Sequence, residues 1–285
     1  MRLEDYDTSR RFPATVEAST RLTAEGNGEE IRELELSLPV ALDAEVGQSV
    51  GLILEGPFDA PGEAVKLGHR RHFRLYTIAD LPEANRIRIC VMRCGYVDDY
   101  SGEAYPGIAS SRLCDARVGE QFTLSGPFGL PWTLPDDESA DLVFIGAGTG
   151  VAPFRALTRR MVRDRGSWAG HVWLLQFART RPDLFYTDEL RGLLEGLTGP
   201  DGFQITTAVS PRPHFGEAPG LEQALQAWPR LGDVVGSETG TLYVAGYSGL
   251  LARLDDAIAA MLGDADWPGT KAALQDAGRW QELIY

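Results

Sequence analysis

The sequence predicts two domains of different classes: an antiparallel β-barrel in residues 1–135, followed by a doubly wound domain with a parallel sheet in residues 136–285. Three observations support this division. The first half contains only short strand-like segments between turn residues. The second half alternates apolar runs with helical patterns, as parallel sheets with covering helices do. Between them, two prolines and an acidic run mark a linker at 131–140.

The predicted barrel consists of segments that are rich in β-branched or alternating apolar residues. Glycine–proline pairs, such as those at 56–57 and 126–127, punctuate this half of the chain. Many short strands between such turns are typical of a closed barrel or a sandwich. The predicted strands are residues 14–20, 31–38, 49–54, 72–78, 86–93 and 121–125.

The second half begins with residues 142–146, a continuous apolar run of the kind expected for a strand buried on both faces. A glycine turn and a helical segment at 152–165 follow this strand. The strand–helix cycle then repeats, which indicates a parallel sheet with helices on both faces. The further predicted strands are 171–177, 204–209 and 240–244, and the further predicted helices are 183–194, 221–228 and 250–262.

Composition excludes several functional classes. The chain has 27 Lys and Arg against 41 Asp and Glu, a net charge of −14, which disfavours nucleic acid because phosphate binding needs clustered cations. The three cysteines and four histidines lack the spacing of a disulfide framework, a zinc site or an iron–sulfur cluster, so no metal is predicted. No apolar run reaches the roughly 20 residues of a membrane helix, and the acidic N-terminus is unlike a signal or transit peptide. These features predict a cytoplasmic protein.

Residues 146–155 form the strongest single motif. Gly146, Gly148 and Gly150 lie between the apolar strand and the helix, where glycine lets the backbone approach a pyrophosphate on the helix N-terminus. Pro153 supports this placement, because its missing N–H costs nothing at the start of a helix. The spacing differs from the GxGxxG fingerprint, and such a turn can also serve only to close a strand–helix corner. The arginines at 159–165 are expected to be partly solvated surface and partly cofactor phosphate ligands.

Two shorter motifs lie in the barrel. Strand alternation at 74–77 places Arg74 and Tyr76 on one face, where a guanidinium suits a diphosphate and an aromatic ring suits a planar cofactor. Taken alone, this tetrapeptide favours an exposed strand with a salt-bridging arginine. Residues 107–115 resemble a loop that enters a helix, with Ser110 as the helix cap and free N–H groups facing an anion. A plain N-cap without a ligand explains that segment equally well.

In this order and at these separations, the motifs resemble the plant-type ferredoxin–NADP⁺ reductase family. The resemblance covers nearly the whole chain, and it implies that FAD binds to the barrel domain and a pyridine nucleotide to the α/β domain. The matching segments are residues 47–56, 74–77, 89–93, 107–115, 126–129, 148–155, 183–189, 208–210, 243–246 and 278–285.

For FAD, the resemblance implies that Arg74 holds the diphosphate and that Tyr76 stacks on one face of the flavin. Thr77 replaces the family's serine beside the flavin ring, and Tyr96 matches an aromatic residue that packs against the adenine. Tyr285, the last residue, matches the C-terminal tyrosine that covers the other flavin face, where the nicotinamide enters. Tyr76, Thr77 and Tyr285 are the residues expected to act in the reaction. The other expected FAD contacts are Leu75, Gly107, Ile108, Ala109 and Ser110.

For the nucleotide, the resemblance implies a site at the glycine turn, where Thr149 receives the pyrophosphate. NADP is the expected nucleotide. NAD is the alternative, because only Ser210 and Arg212 remain to hold a 2′-phosphate. Pro219 and Leu221 stand where the family has a lysine and a tyrosine. The expected nucleotide contacts are Gly148, Thr149, Gly150, Pro153, Ser210, Arg212 and Gly246.

The sequence departs from the family at further positions. Ala245 replaces a cysteine close to the hydride-transfer site, and Leu283 replaces an acidic residue linked to proton delivery. Glu282 is one position away, but neighbouring residues of an extended segment face opposite sides. Met92 stands where many relatives have a lysine near the FAD diphosphate. Either drift explains these losses, since the flavin itself carries the chemistry, or the protein is specialised for another acceptor.

The implied function is hydride transfer between NAD(P)H and FAD, with single electrons passing to a protein carrier such as ferredoxin or flavodoxin. Two alternatives stay open. One is a FAD-carrying electron-transfer subunit of a larger complex with weak or no nucleotide turnover, and the other is a reductase that feeds an oxygenase. Anaerobic reduction of the flavin by NADPH or NADH distinguishes the reductase from the electron-transfer subunit.

Overall fold

A computed structural model describes residues 3–26, 29–56, 71–81, 83, 85–97, 102–209, 221–226, 228, 230–263 and 266–285. The chain forms two compact units, Met1–Pro131 and Trp132–Tyr285, and each is described by itself below. The predicted site residues Ser210 and Arg212 lie outside the described residues, as does Pro219.

The strands of the first unit form one large antiparallel sheet and one hairpin. The strands are β1 (Arg11–Arg21), β2 (Ile31–Ser37), β3 (Ser49–Glu55), β4 (Arg71–Thr77), β5 (Arg86–Met92), β6 (Gly95–Val97), β7 (Ala104–Pro106) and β8 (Gln121–Phe128). The six-stranded sheet has the order β4-β3-β8-β1-β2-β5, and β6 pairs with β7. A bridge between Ile78, directly after β4, and Ile89 in β5 joins the two edges of the sheet. The predicted antiparallel barrel is therefore confirmed.

Alternating side chains fill the interior of this barrel. In β1, Phe12, Ala14 and Val16 are buried, whereas Arg11 before them and Pro13 between the first two are exposed. This period of two is the pattern that identified the strands in the sequence, because successive strand residues point to opposite faces.

The helix of the first unit, α1 (Ile108–Cys114), begins earlier than the sequence predicted. The N-cap residue is Gly107, so Ser110 is not the helix cap; it lies inside the first turn and is buried. The chain turns into the helix directly after β7, which places the serine three positions past the cap. Its hydroxyl instead accepts a hydrogen bond from the backbone N–H of Cys94 at 3.0 Å. The prediction that Ser110 caps the helix is wrong.

The second unit contains a five-stranded parallel sheet with the strands β9 (Leu142–Ala147), β10 (Val172–Ala178), β11 (Phe203–Val209), β12 (Thr241–Gly246) and β13 (Trp280–Ile284). Its order is β11-β10-β9-β12-β13, and neighbouring strands run parallel. Since β9 and β12 are neighbours, the order reverses between them, and the carboxyl ends of strands at such a point are where doubly wound sheets bind ligands. The predicted doubly wound domain is confirmed.

The helices of the second unit are α2 (Ala152–Asp164), α3 (Thr187–Thr198), α4 (Leu221–Gln226), α5 (Leu231–Gly236), α6 (Ser248–Leu262) and α7 (Trp267–Asp276). The sequence did not predict α5, α7 or β13. It also started α3 too early, at residue 183. A reciprocal Thr180–Asp183 capping box closes a 3₁₀ turn there, and Tyr186 takes a left-handed conformation with φ +60° before α3 begins. Within the described residues, no helix is long and apolar enough to cross a membrane.

Candidate functional site

The glycine turn lies at the point where the order of the parallel sheet reverses. Residues Gly148–Val151 form a 3₁₀ turn between β9 and α2. Gly148 has φ +56°, a conformation that other residues rarely adopt. A Cβ on Gly150 would lie 2.2 Å from the carbonyl oxygen of Ala245, so only glycine allows the turn to approach β12 this closely. The predicted turn residues are therefore held between the carboxyl ends of β9 and β12.

Two helices begin at this edge of the sheet, and α2 directly continues the 3₁₀ turn, whose Thr149 carbonyl accepts the Ala152 N–H. Among the described residues, no side chain caps either α2 or α6, and neither helix has an acidic residue in its first turn. Pro153 occupies the start of α2, as predicted. The first N–H groups of a helix have no intrahelical partner and carry the positive end of its dipole. These two ends therefore favour an anion.

Tyr285 is held at the same edge by its backbone and its hydroxyl. Its N–H donates a hydrogen bond to the carbonyl of Gly246 at 3.0 Å, which continues the pairing of β13 with β12. Its hydroxyl lies 2.7 Å from Thr149 Oγ1 and 3.3 Å from the carbonyl oxygen of Ala147. The residue is 52% exposed. The structure thus brings together Thr149, Gly246 and Tyr285, three residues that the sequence selected separately.

Two of the positions that depart from the family, 245 and 283, lie next to each other. Ala245 of β12 pairs in register with Leu283 of β13. Ala245 is fully buried and Leu283 is half-buried, so the position is apolar on both strands. The neighbouring carboxylate of Glu282 accepts a hydrogen bond from Trp280 Nε1 at 2.9 Å and lies 3.7 Å from Lys271 Nζ.

The arginines of α2 are engaged with carboxylates. Arg159 donates to Glu189 at 2.6 Å, and the buried Arg155 donates to the same carboxylate at 2.8 Å. The remaining pairs are Arg160–Asp164, Arg163–Asp164 and Arg165–Glu138. These contacts make the arginines part of a surface ion-pair network, so the backbone N–H groups are the better candidates for binding phosphate.

In the first unit, β4 places Arg74 and Tyr76 on one face, as predicted. The exposed Arg74 donates from Nη1 to the carbonyl of Phe73 at 2.8 Å, and no carboxylate in the described ranges forms an ion pair with it. Tyr76 packs against the barrel core, and burial raises the pKa of its hydroxyl. Burial and the positive charge of Arg74 lower the pKa of the neighbouring His72 to about 4. At neutral pH the histidine therefore adds no second positive charge to this face.

Thr77 lies on the opposite face of β4 from Arg74 and Tyr76. Its hydroxyl is 3.3 Å from the hydroxyl of Ser49 in the neighbouring strand β3. Leu75 is half-buried on that same face. The alternation that joins Arg74 to Tyr76 therefore separates them from Thr77.

The entry to α1 is tightly built. A Cβ on Gly107 would lie 2.7 Å from Ser110 Oγ and 2.9 Å from the carbonyl oxygen of Cys94. The Gly107 N–H donates to that same carbonyl at 2.8 Å. Ala109 is buried in the barrel core, and Ile108 is half-buried. Ala109 can therefore reach a ligand only through its backbone.

Tyr96 has an aromatic neighbour that the sequence did not reveal. Tyr105 faces it across the β6–β7 hairpin, with ring centroids 5.4 Å apart and an interplanar angle of 29°. Tyr96 is 43% exposed, so part of its ring stays open for a planar group. In the sequence, only the alternation of side chains in the two short segments before and after residues 98–101 could have indicated that Tyr96 and Tyr105 face each other.

Comparisons with known proteins agree with this geometry. The family model for the oxidoreductase NAD-binding domain matches residues 144–253, which extend from β9 into α6. Chloroplastic ferredoxin–NADP reductases are similar over 84% of this chain: the enzyme of Spinacia oleracea is 31% identical and that of Mesembryanthemum crystallinum 30% identical. The matched region spans 66% of each plant sequence, slightly less than two thirds of its length. Ferredoxin–NADP reductase of Spirulina sp is 29% identical, with 83% of its length covered.

A solved structure shows the same fold. Ferredoxin–NADP⁺ reductase from Plasmodium falciparum with 2′P-AMP has a TM-score of 0.72 to this chain at 15% identity, with 99% of this chain and 98% of that chain covered. At this identity the likeness concerns the fold alone. Taken with the sequence relatives and the site geometry, it leads to one conclusion: the chain belongs to the plant-type ferredoxin–NADP reductase family.

Proposed function

We propose that this protein is a FAD-dependent oxidoreductase that moves electrons between NAD(P)H and a one-electron protein carrier such as ferredoxin or flavodoxin. The observation that carries the proposal is the convergence of the Gly148–Val151 turn, the helix N-termini and Tyr285 where the sheet order reverses. A glycine turn alone would serve to close a corner. A half-exposed C-terminal tyrosine bonded to the turn is not needed for that purpose, and family membership supports the same reading.

The residues of the first unit fit FAD by their chemistry. Arg74 offers a guanidinium without a carboxylate partner in the described ranges, which suits a diphosphate. Tyr76 offers a ring on the same strand face, and its hydroxyl stays protonated because burial raises its pKa. The buried hydroxyl of Ser111 in α1 has no hydrogen-bond partner among the described residues, and it lies one position after the predicted ligand Ser110. When bound, FAD supplies the conversion between hydride transfer and single-electron transfer.

The residues of the second unit fit a pyridine nucleotide. The turn and the N-termini of α2 and α6 supply backbone N–H donors for a pyrophosphate. Thr149 supplies a hydroxyl that Tyr285 uses in this structure. The protein's own contribution is therefore to bind the phosphates, to free Thr149 by moving Tyr285, and to place the nicotinamide by shape. Hydrogen bonding or proton transfer from positions 245 and 283 is not part of this proposal, since Ala245 and Leu283 have no polar side chain.

Three finer points belong to the same proposal. The nucleotide is NADP rather than NAD, with Ser210 and Arg212 as the ligands of the 2′-phosphate. The relatives are named for ferredoxin and NADP, and we take these as the partner and the substrate of this chain also. The proposed location is the cytoplasm.

The test starts from the flavin of the purified protein. Acid extraction should release FAD, and FMN alone would reject the cofactor assignment. Under anaerobic conditions NADPH, and more slowly NADH, should bleach the flavin absorbance, and oxidised ferredoxin should restore it. A flavin that neither nucleotide reduces would reject the reductase in favour of an electron-transfer subunit.

A matched pair of glycine variants shows whether the turn is responsible. Gly150→Ala places a Cβ against the Ala245 carbonyl and should prevent reduction by nucleotide while the flavin is retained. Gly192→Ala in α3 is the control, because a Cβ there meets nothing within 4 Å. Equal reduction of the two variants would show that the nucleotide binds elsewhere.

A further inference from the structure

Two half-exposed tyrosine residues flank Gly246 at the carboxyl end of β12. Tyr285 is bonded to the Gly246 carbonyl through its backbone N–H, whereas Tyr247 follows Gly246 directly in the chain. The two residues are similarly exposed, at 52% for Tyr285 and 48% for Tyr247. Tyr285 already has a proposed role at the nucleotide turn. Tyr247 has none, although a large aromatic residue half exposed to solvent loses much of the stabilisation that burial would give it.

The residues around Tyr247 fix the position of its ring but leave much of the residue exposed to solvent. The residue is the N-cap of α6, and its carbonyl accepts the backbone N–H of Leu250 at 2.9 Å. The ring lies against Gly249, where an added Cβ would be 3.2 Å from Cε2 and 3.4 Å from Cδ2. Among the described residues the ring forms no aromatic pair. One side of the ring is therefore supported by the first turn of the helix, and the rest is available to a ligand.

The position of Tyr247 after β12 indicates which half of the nucleotide its ring would contact. The glycine turn follows β9, and β11 lies on one side of β9 in the sheet. The proposed ligands of the 2′-phosphate, Ser210 and Arg212, come after β11 in the sequence. Tyr247 follows β12 on the other side, next to β13, which carries Tyr285. Parallel strands bring all their carboxyl ends to one edge, so the nucleotide extends along this order. With the 2′-phosphate bound after β11, as proposed above, the adenosine end would lie towards β11 and the nicotinamide end towards β13.

We propose that Tyr247 is a nucleotide-binding residue whose ring packs against the nicotinamide-ribose half of the pyridine nucleotide, on the β12 side of the glycine turn. The inference rests on the proposed function, because it assumes that this edge binds a pyridine nucleotide. It adds a residue that the resemblance did not assign. It also gives the protein a second aromatic surface beside Gly246, one that stays in place when Tyr285 moves.

The experiment measures the dissociation constants of three ligands by titration calorimetry on the flavin-loaded protein. NADP⁺ has both halves, 2′-phospho-ADP-ribose lacks only the nicotinamide base, and 2′-phospho-AMP lacks the whole nicotinamide-ribose half. Tyr247→Ala should weaken NADP⁺ binding about 3- to 10-fold, the range of one aromatic packing contact. Its affinity for 2′-phospho-AMP should stay within about 2-fold of the wild-type value, since that ligand does not reach the ring. Tyr247→Phe keeps the ring and should bind NADP⁺ as the wild type does.

The outcomes separate this inference from the proposed function. A wild-type protein that binds none of the three ligands overturns the proposed function and the inference with it. A wild-type protein that binds them, with an unchanged NADP⁺ affinity in Tyr247→Ala, overturns the inference alone. An equal loss for NADP⁺ and 2′-phospho-AMP also overturns it, because the ring then acts on the adenosine half or on the fold. Should Tyr247→Ala fail to fold, Tyr247→Leu keeps the apolar bulk without the planar ring, and wild-type NADP⁺ affinity in that variant overturns the inference.

Discussion

Removing a single oxygen atom from Tyr285 tests whether the C-terminal residue restrains the nucleotide turn. In the structure the phenol hydroxyl is 2.7 Å from Thr149 Oγ1 and 3.3 Å from the Ala147 carbonyl. A pyrophosphate that used the Thr149 hydroxyl would first have to displace this contact. Tyr285→Phe abolishes the hydrogen bonds and keeps the ring. We therefore expect the variant to bind NADP⁺ more tightly than the wild type.

The size of the effect follows from the geometry. A neutral hydrogen bond contributes about 0.5–1.5 kcal/mol net. The residue is half exposed, so the lower half of this range applies, and Tyr285→Phe should tighten NADP⁺ binding about 2- to 5-fold. Tyr285→Ser also removes the ring, which the proposed function places on the flavin, and such stacking would contribute about 0.5–1.5 kcal/mol. The combined gain in affinity for that variant is about 5- to 70-fold.

The assay is a titration of the flavin difference spectrum with NADP⁺ and with NAD⁺. Tyr285→Ser should also strengthen the long-wavelength charge-transfer band, since the nicotinamide then reaches the flavin more often. A double-mutant cycle with Thr149→Val identifies the bonded partner, because two residues that contact each other have non-additive effects. Additive effects of the two substitutions would refute a restraint through Thr149. Unchanged affinity with a lowered melting temperature would make Tyr285 a structural residue.

Three further predictions concern other parts of the chain. Arg74→Ala should lower FAD occupancy, measured as the ratio of flavin to protein absorbance, because it removes the cation of the diphosphate site. Glu282→Gln should lower the melting temperature slightly by weakening the contacts with Trp280 and Lys271, and should leave the pH profile of NADPH oxidation unchanged; a shifted profile would restore Glu282 as a proton donor. His72 has a pKa of about 4 in the folded protein against an ordinary value of 6.5, so the unfolded chain binds more protons between these values. The free energy of unfolding should therefore rise by about 1 kcal/mol from pH 4 to pH 6.5 relative to His72→Gln, after allowance for its partial exposure; a flat difference would contradict the pKa assignment.

The sequence predicted the parts of the fold that have a local pattern. Strands of the barrel alternate buried and exposed residues, and the central strands β9, β10 and β12 of the parallel sheet are almost wholly apolar and buried, so both kinds could be predicted to within a few residues of their ends. The edge strand β13 lacked such a pattern, because it mixes Gln281 and Glu282 with apolar residues. The short helix α5 and the glycine-containing α7 were missed for the same reason: few residues carry each pattern.

The site was predicted as a set of residue types and not as a set of contacts. Thr149 and Tyr285 were both selected, but they are 136 positions apart, and no local pattern encodes the bond between their hydroxyls. Tyr247 was overlooked because an isolated tyrosine after a glycine is unremarkable until the sheet order places it beside the turn. The error at Ser110 has a different origin. Serine is a good N-cap, and only the position of β7 shows that the helix begins at Ile108.

The strand register also bears on why this chain lacks two polar groups at once. Ala245 and Leu283 are paired residues on neighbouring strands, so a cysteine and an acid at these positions would be neighbours. Losing one of them alone would leave a polar group against an apolar partner, and a half-buried carboxylate without a partner is costly. Losing both restores an apolar match between β12 and β13. The two departures therefore form a single apolar pair between β12 and β13. Beside Gly246 this chain has two tyrosine rings, Tyr247 and Tyr285. In the reaction proposed here, these rings position the nicotinamide by packing, a function that the family assigns to polar side chains.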